Sequence, residues 1–194
     1  MFEVITSEEL NHRIDFALLC NERQVRIAVE VGTDQGWFAK KFMERFNGEL
    51  LLCVDSYKPY EYMMDRQIDM MQAVLALQPW HGRVRFIKAD SAVAAASIPS
   101  WNKDKIDFIY IDGDHSYKGV CKDLKTWWPL LSHHGILAGH DYDETHPGVM
   151  RAVKHFAKKK GLTVRVIRGD SPESWYVYKT EPTHLKCNFF KGGS

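Results

Sequence analysis

Short apolar segments alternate along the chain with longer segments in which apolar residues recur every three or four positions. The apolar segments predict buried strands, at residues 25–31, 50–55, 84–87, 106–111 and 136–138. The periodic segments predict helices, at residues 7–22, 37–46, 59–77, 92–96, 117–131 and 148–160, with Pro99 ending the fourth. This alternation is typical of an α/β fold with a doubly wound, mostly parallel sheet and helices on both faces.

Two more strands are predicted near the end of the chain, at residues 163–167 and 175–178, on either side of the turn Gly169-Asp170-Ser171-Pro172. They predict a terminal antiparallel hairpin that adds an antiparallel strand at one edge of the sheet. No internal repeat or linker divides the 194 residues, so one domain is expected. It comprises an N-terminal helical segment at 1–24, a core at 25–180 and a polar, loose tail at 181–194.

The composition narrows the classes of function. A formal net charge of +1 argues against a nucleic-acid-binding protein, which usually carries a basic face. The cysteines are scattered without a CxxC pair, which excludes a zinc ribbon or a thioredoxin-like site. The N-terminus lacks the regions of a secretion signal, and no apolar run has the length of a membrane span. A cytoplasmic protein without nucleic-acid or membrane partners is therefore expected.

Ionisable residues follow two of the predicted strands at the point where each strand ends. Asp112, Asp114 and His115 come directly after one strand, and His140 and Asp141 come after the next. The carboxyl ends of the strands in an open α/β sheet form the edge where ligands bind. The sequence therefore predicts a functional site at this edge.

A glycine loop and two further acids predict an adenosine ligand. The loop from Gly32 to Gly36 follows the first core strand and opens a helix. Asp55 ends the next strand, where nucleotide-binding sheets place an acid that accepts hydrogen bonds from ribose hydroxyls. Asp90 ends the third, where it could reach an adenine amino group with Ser91 beside it.

The loop disfavours a dinucleotide. Its pattern is G-x-x-x-G rather than G-x-G-x-x-G, and Asp34 lies in its middle, where a carboxylate would repel a pyrophosphate. A ligand without phosphates, whose cationic amino group pairs with Glu30 or Asp34, fits better. S-adenosylmethionine meets these requirements.

Three segments together resemble the class I S-adenosylmethionine-dependent methyltransferases: Glu30-x-Gly32-Thr33-x-x-Gly36, Ile111-Asp112-Gly113-Asp114-His115-Ser116-Tyr117 and His140-Asp141. The resemblance covers residues 25–178, and the nearest subgroup is that of macrocin-type O-methyltransferases and cephalosporin-hydroxylase-like proteins, methyltransferase family 24. It implies O-methylation of a small hydroxylated acceptor on a Rossmann-like, seven-stranded sheet of order 3-2-1-4-5-7-6. It implies cofactor contacts from Glu30, Gly32, Thr33, Asp34, Gly36, Asp55, Ser56, Asp90, Ser91, Asp112 and His115.

The resemblance also implies a metal site and a catalytic base. In metal-dependent members, a magnesium ion is held by the residues that correspond here to Asp112, His140 and Asp141. His140 stands where those members carry an acid, which weakens the magnesium interpretation or favours manganese. His115 is the implied base, with Asp114 as the rival, and an ordinary histidine pKa of about 6.5 suits the task.

Simpler interpretations stay open for the same residues. Asp114 and Ser116 could simply cap the helix that begins near Tyr117. His115 could only contact the cofactor, and His140 could be a hydrogen-bonding residue rather than a ligand. The methionine-rich stretch 57–71 is either core or a lid over the site.

Three other functions also stay open: an NAD- or adenosine-nucleotide-binding oxidoreductase, a cofactor-binding protein without turnover, and an iron-dependent oxygenase. The sequence leaves the acceptor and a homodimer undecided.

Overall fold

The computed structural model describes residues 3–7, 9–59, 66–101 and 105–180. Its strands are β1 (Glu3–Thr6), β2 (Ile27–Val31), β3 (Leu50–Asp55), β4 (Val84–Lys88), β5 (Ile106–Ile111), β6 (Leu131–Gly139), β7 (Thr163–Ile167) and β8 (Ser174–Tyr178). They form one eight-stranded sheet of order β1-β7-β8-β6-β5-β2-β3-β4. The α/β class predicted from the alternating segments is confirmed.

The strand order differs from the predicted one by an added strand. Counted from β2, the other seven strands follow the order 3-2-1-4-5-7-6. The eighth strand, β1, pairs in parallel with β7 and forms the sheet edge. The predicted hairpin of β7 and β8 is present, and β8 lies inside the sheet, as the order 3-2-1-4-5-7-6 requires, rather than at an edge. It lies between β6 and β7 and is antiparallel to both.

Within the described residues, six α-helices connect the strands: α1 (Phe16–Glu22), α2 (Trp37–Met43), α3 (Gln67–Leu77), α4 (Ser91–Trp101), α5 (Tyr117–Trp127) and α6 (Pro147–Lys160). The predicted N-terminal helix at 7–22 is shorter, because Ser7 forms a local turn by accepting hydrogen bonds from the N–H groups of Glu9 and Leu10. A 3₁₀ turn, Arg13–Asp15, then leads into α1.

Three other predicted helix ends were wrong. Helix α2 ends at Met43 rather than at residue 46. Helix α4 continues through Pro99, which lies in its last turn and costs it one backbone bond shortly before it ends. Helix α5 ends at Trp127 and continues as the 3₁₀ turn Trp128–Leu130, which has a proline in its first turn. The predictions for the start of the helix at 59–77, for part of the 57–71 stretch and for the tail at 181–194 fall on residues outside those described.

The core lies on both faces of the sheet, as the apolar strands predicted. Alternate residues of β5 face opposite sides: Ile109 belongs to the same core cluster as Trp127 of α5, whereas the ring of Phe108 contacts those of Phe16 and Phe42 in α1 and α2. In the part of the chain that is described, no helix combines the length and apolar character that crossing a membrane requires.

Backbone contacts fix the loops at the carboxyl edge of the sheet. The N–H of Gly32 donates to the carbonyl of Val54 at 2.8 Å, and the N–H of Asp112 donates to that of Val31 at 2.7 Å. Gly32 has a φ of +94°, and a Cβ atom on it would overlap the backbone of Asp112. The glycine loop therefore lies directly against the end of β5, which positions the candidate site.

Candidate active site

A cleft of about 990 Å³ opens at the carboxyl edge of the sheet. Its lining comes from the ends of β2, β3, β4 and β5 and from helix α5. Among the predicted cofactor contacts, it is lined by Gly32, Asp34, Asp55, Ser56, Asp90, Ser91, Asp112 and His115, together with Asp114. These residues come from separate strand ends and line one cleft, and their contacts with a cofactor stay a prediction.

Three predicted cofactor contacts lie behind the cleft wall. Glu30 and Thr33 are buried, and Gly36 is the buried residue at the start of α2, with a left-handed φ of +78°. Burial raises the pKa of the Glu30 carboxyl well above its usual range. Its Oε2 atom has no hydrogen-bond partner among the described residues, so Glu30 keeps an unused acceptor close to the glycine loop.

Asp55 anchors the glycine loop at one end of the cleft. Its Oδ2 accepts from the N–H of Asp34 at 3.0 Å, and its Oδ1 accepts from the N–H of Tyr57 at 2.8 Å. Arg66, which the sequence analysis missed, joins this group: it pairs with Asp34, donates to Asp69 at 2.8 Å and lies 3.7 Å from Asp55. The carboxylates at this end are therefore oriented before any ligand binds.

Asp90 forms the next part of the wall. Its Oδ1 accepts from the N–H of Ala92 at 3.0 Å and from Lys122 Nζ at 3.0 Å. The Lys122 ammonium holds the pKa of Asp90 below its usual range. Lys122 is a second residue that the sequence analysis missed, and helix α5 brings it to an acid 32 positions earlier in the chain.

Ser91 is already engaged. Its hydroxyl donates to Asp123 Oδ1 at 2.6 Å and accepts from the indole N–H of Trp127 at 2.8 Å. Its proton is therefore committed to Asp123, and a cofactor contact from Ser91 stays a prediction.

Asp123 gives the chain a specific dependence of stability on pH. Burial raises its pKa to about 6, so the folded state keeps a proton that the unfolded chain loses near pH 4. The free energy of unfolding should therefore fall by about 2 kcal/mol as the pH rises from 4 to 6. Asp123→Asn should remove this contribution, which urea denaturation at several pH values would measure. A difference between wild type and variant that does not change with pH would contradict it.

A cluster of imidazoles and carboxylates lies at the ends of β5 and β6. His115 Nε2 lies 2.9 Å from Asp141 Oδ2 and 3.7 Å from Asp112 Oδ1. His140 Nδ1 lies 3.1 Å from Asp141 Oδ1 and 3.7 Å from Asp112 Oδ1. The two strand ends thus meet as the sequence predicted, and one carboxylate, Asp141, faces both imidazoles.

The charges of this cluster shift the pKa values of its members. Asp112 and Asp141 raise the pKa of His115 to about 10 against the opposing effect of burial. Burial alone would raise the pKa of Asp141, but the hydrogen bonds with His115 and His140 outweigh it and hold that pKa well below its usual range. At neutral pH, His115 is therefore an imidazolium paired with an ionised Asp141, whereas the sequence analysis expected an ordinary histidine pKa.

Asp114 does not cap helix α5. The N-cap is Ser116, whose hydroxyl accepts from the N–H of Gly119 at 3.1 Å. Asp114 Oδ1 accepts from the N–H of Ser116 at 2.8 Å, which shapes the turn before the helix. Asp114 thus holds the backbone next to His115, and its rival role as a base stays a prediction.

Two groups of potential metal ligands occur in the described part of the chain: Asp112, His140 and Asp141, and His115, Asp141 and His146. The first is the predicted metal set, and its ligand atoms lie within 4.8 Å of one another. Its carboxylates suit a divalent cation. Its imidazole fits less well, because the second ring nitrogen of His140, Nε2, lies 2.5 Å from Nη1 of Arg13, a residue the sequence analysis also missed.

The model of methyltransferase family 24, described as a methyltransferase domain, matches residues 29–142. That stretch contains the glycine loop, Asp55, Asp90 and the cluster at the ends of β5 and β6. No curated protein matches the chain.

Solved structures with the same fold include three methyltransferases. An O-methyltransferase from Bacillus cereus, in complex with SAH, has a TM-score of 0.68 at 13% identity over 86% of this chain and 80% of that one. The O-methyltransferase TomG from Streptomyces achromogenes, in complex with SAM, has a TM-score of 0.64 at 13% identity over 86% of this chain and 77% of that one. A TDP-rhamnose 3'-O-methyltransferase of calicheamicin biosynthesis has a TM-score of 0.64 at 15% identity over 85% of this chain and 76% of that one. At these identities the likeness shows a shared fold.

Proposed function

The chain belongs to the methyltransferase domain family, and on that premise we propose that it transfers a methyl group from S-adenosylmethionine to a hydroxyl group of a small-molecule acceptor. The observation that carries the proposal is the single cleft that the glycine loop, Asp55, Asp90, Asp112 and His115 all line. The resemblance of the motifs and the O-methyltransferases that share the fold support the same reaction.

The cleft suits this cofactor chemically. S-adenosylmethionine carries a ribose, a sulfonium and an ammonium group, and carboxylates are suited to all three. Asp55 uses each oxygen for one backbone N–H, which leaves further acceptor capacity for ribose hydroxyls. Asp90 lies at the next strand end, and Asp112 and Asp114 supply negative charge near the middle of the cleft. The unpartnered Oε2 of Glu30 adds an acceptor behind the loop.

The cofactor supplies an electrophilic methyl carbon, and the remaining task for the protein is to align the acceptor and remove its proton. In the proposal, the neutral imidazole of His115 keeps its Nε2–H bonded to Asp141 and takes the proton of the acceptor hydroxyl on Nδ1. The acceptor oxygen gains the methyl group as the bond from carbon to sulfur breaks, and His115 ends protonated. Asp141 and Asp112 hold the imidazole in place and stabilise the cation that forms.

An oxidoreductase that binds NAD is the less favoured alternative. The family match concerns methyltransferases, and the loop keeps a carboxylate at Asp34 with 59% of its side chain exposed. Pairing with Arg66 offsets part of that negative charge, so the direct comparison of ligands below decides between the two.

Replacement of Asp55 should weaken cofactor binding. Because a hydrogen bond to a charged group contributes about 1.5–3 kcal/mol, Asp55→Ala should weaken the binding of S-adenosylhomocysteine by about 10- to 100-fold. Isothermal titration calorimetry with S-adenosylmethionine, S-adenosylhomocysteine and NAD would measure it.

Asp107→Ala is the matched control. Asp107 Oδ2 also accepts two backbone N–H groups, those of Arg26 and Ile27 at 3.1 and 3.2 Å, but at the opposite edge of the sheet. Asp107→Ala should lower the free energy of unfolding and keep the wild-type affinity for S-adenosylhomocysteine. Tight binding of NAD without a response to S-adenosylhomocysteine would refute the proposed cofactor.

A further inference from the structure

The contact between Arg13 and His140 determines which ring nitrogen of His140 carries the proton. Arg13 Nη1 lies 2.5 Å from His140 Nε2. A guanidinium stays protonated and has only N–H donors, so Nε2 must accept this hydrogen bond. The proton of a neutral His140 is therefore on Nδ1.

The other side of the ring agrees with this assignment. His140 Nδ1 lies 3.1 Å from Asp141 Oδ1 and 3.7 Å from Asp112 Oδ1, so its N–H donates to a carboxylate. Both ring nitrogens are thus occupied by complementary partners. A metal ion between Asp112 and Asp141 would need a lone pair on Nδ1, which would move the proton to Nε2, against a cation.

We infer that Arg13 holds His140 as an Nδ1–H donor to the carboxylates, and that this chain's methyl-transfer centre therefore works without a divalent metal ion. The reference to methyl transfer rests on the proposed function. Arg13 is in this view a positioning residue: it acts through His140, which orients Asp141, and Asp141 in turn accepts from His115 Nε2 at 2.9 Å.

The fold holds Arg13 in this position from several sides. Its backbone N–H donates to Oδ2 of the buried Asp170 at 2.9 Å, and His12 Nε2 lies 3.1 Å from Oδ1 of the same carboxylate. The guanidinium lies over the ring of Trp37, 4.7 Å from its centroid. Contacts from the turn between β7 and β8 and from α2 therefore set the direction of the guanidinium.

The second group of potential ligands is occupied in a similar way. His146 Nδ1 lies 3.1 Å from Asp143 Oδ1, whereas it is 3.7 Å from Asp141 Oδ1. Nδ1 also lies 2.9 Å from Thr145 Oγ1, whose own proton goes to Asp143 at 2.6 Å. An N–H at Nδ1 therefore donates to Thr145 and Asp143. His115 Nε2 is directed at Asp141. The imidazoles of both groups thus serve as donors to carboxylates.

The tautomer can be observed directly. In ¹⁵N NMR spectra of the full chain, the chemical shifts of the two ring nitrogens distinguish a protonated nitrogen from an unprotonated one. We expect His140 of the wild type to have a protonated Nδ1 and an unprotonated Nε2, and Arg13→Lys, which keeps a cationic donor, to retain this pattern. A protonated Nε2 in the wild type would overturn the inference.

Metal binding provides the second test, in which Mn²⁺ is titrated into the full chain and followed by electron paramagnetic resonance. The wild type should show no saturable site. Arg13→Met should gain one, and the double variant Arg13→Met/His140→Ala should lose it again. The inference fails if the wild type binds one Mn²⁺ per chain in a manner that His140→Ala abolishes, or if folded Arg13→Met gains no site.

Circular dichroism would establish that each variant folds. Neither readout uses S-adenosylmethionine or turnover, so a failure of the proposed function would leave both results intact. Activity adds a third comparison, because turnover should be unchanged by EDTA in the wild type.

Discussion

Replacement of His115 by glutamine is expected to lower kcat/KM for methyl transfer by about 10²- to 10⁴-fold, the usual contribution of a general base. The amide keeps a hydrogen-bond donor near Asp141 but cannot take the proton of the acceptor. A radiolabelled methyl-transfer assay over a panel of hydroxylated acceptors would measure the loss. His81→Gln, at the opposite edge of the sheet, is the control and should retain full activity.

The same residue should determine the pH dependence of turnover. Because Asp112 and Asp141 raise the pKa of His115 to about 10, about one molecule in a thousand carries the neutral imidazole at pH 7. The value of kcat/KM should therefore rise about tenfold per pH unit from pH 7 and level off near pH 10. In His115→Gln this rise should disappear.

Replacement of Asp112 separates this titration from that of the acceptor. Asp112 is the largest contribution to the raised pKa of His115, so Asp112→Asn should move the break in the profile to lower pH. If the rise in kcat/KM instead came from ionisation of the acceptor hydroxyl, the break in the profile would stay at the same pH in the wild type and in Asp112→Asn. A wild-type profile that is flat between pH 7 and 10 would rule out His115 as the base.

The predicted and observed elements agree most closely where strands are buried on both faces. Strands β3 and β5 have the predicted bounds, because every residue of β3 after Leu50 is buried and β5 is nearly so. Strand β1 has no such signal: Glu3–Thr6 is four residues long and mostly exposed, and it forms only because β7 offers a free edge. A pairing across some 160 residues leaves no periodicity in the sequence.

The same distinction applies to the candidate site: residues at strand ends could be predicted, and residues that reach the site from other elements could not. The rule that ligands bind at the carboxyl edge is enough to bring Asp55, Asp90, Asp112 and Asp141 together. It cannot identify Arg13 or Arg66, which lie outside the strands and reach the site through side chains. It also cannot give the pKa of His115, which depends on the distances to Asp112 and to Asp141, 26 positions further along the chain. Those properties arise from packing between elements, and only the folded geometry contains them.

Replacement of Gly32 by alanine is expected to damage stability and cofactor binding together. Its φ of +94° disfavours any L side chain, and a Cβ atom there would overlap the backbone oxygen and carbon of Asp112. A flexible side chain could relieve the overlap by changing its rotamer, but backbone atoms cannot. The glycine loop and the end of β5 must therefore move apart. Strain and overpacking of this kind cost about 2–6 kcal/mol together. Urea denaturation would measure the loss, and calorimetry would measure the accompanying loss of affinity for S-adenosylhomocysteine.

Gly82→Ala is the matched control for this change. Gly82 lies in the turn before β4, and a Cβ atom on it would meet no other atom within 4 Å. The control should therefore keep the stability and affinity of the wild type, or gain slightly because the unfolded chain loses freedom. If Gly32→Ala matched Gly82→Ala in both measurements, the close approach between the glycine loop and Asp112 would not be what organises the cleft. If Gly32→Ala lost affinity but kept its stability, the glycine would serve the ligand rather than the junction between the two strands.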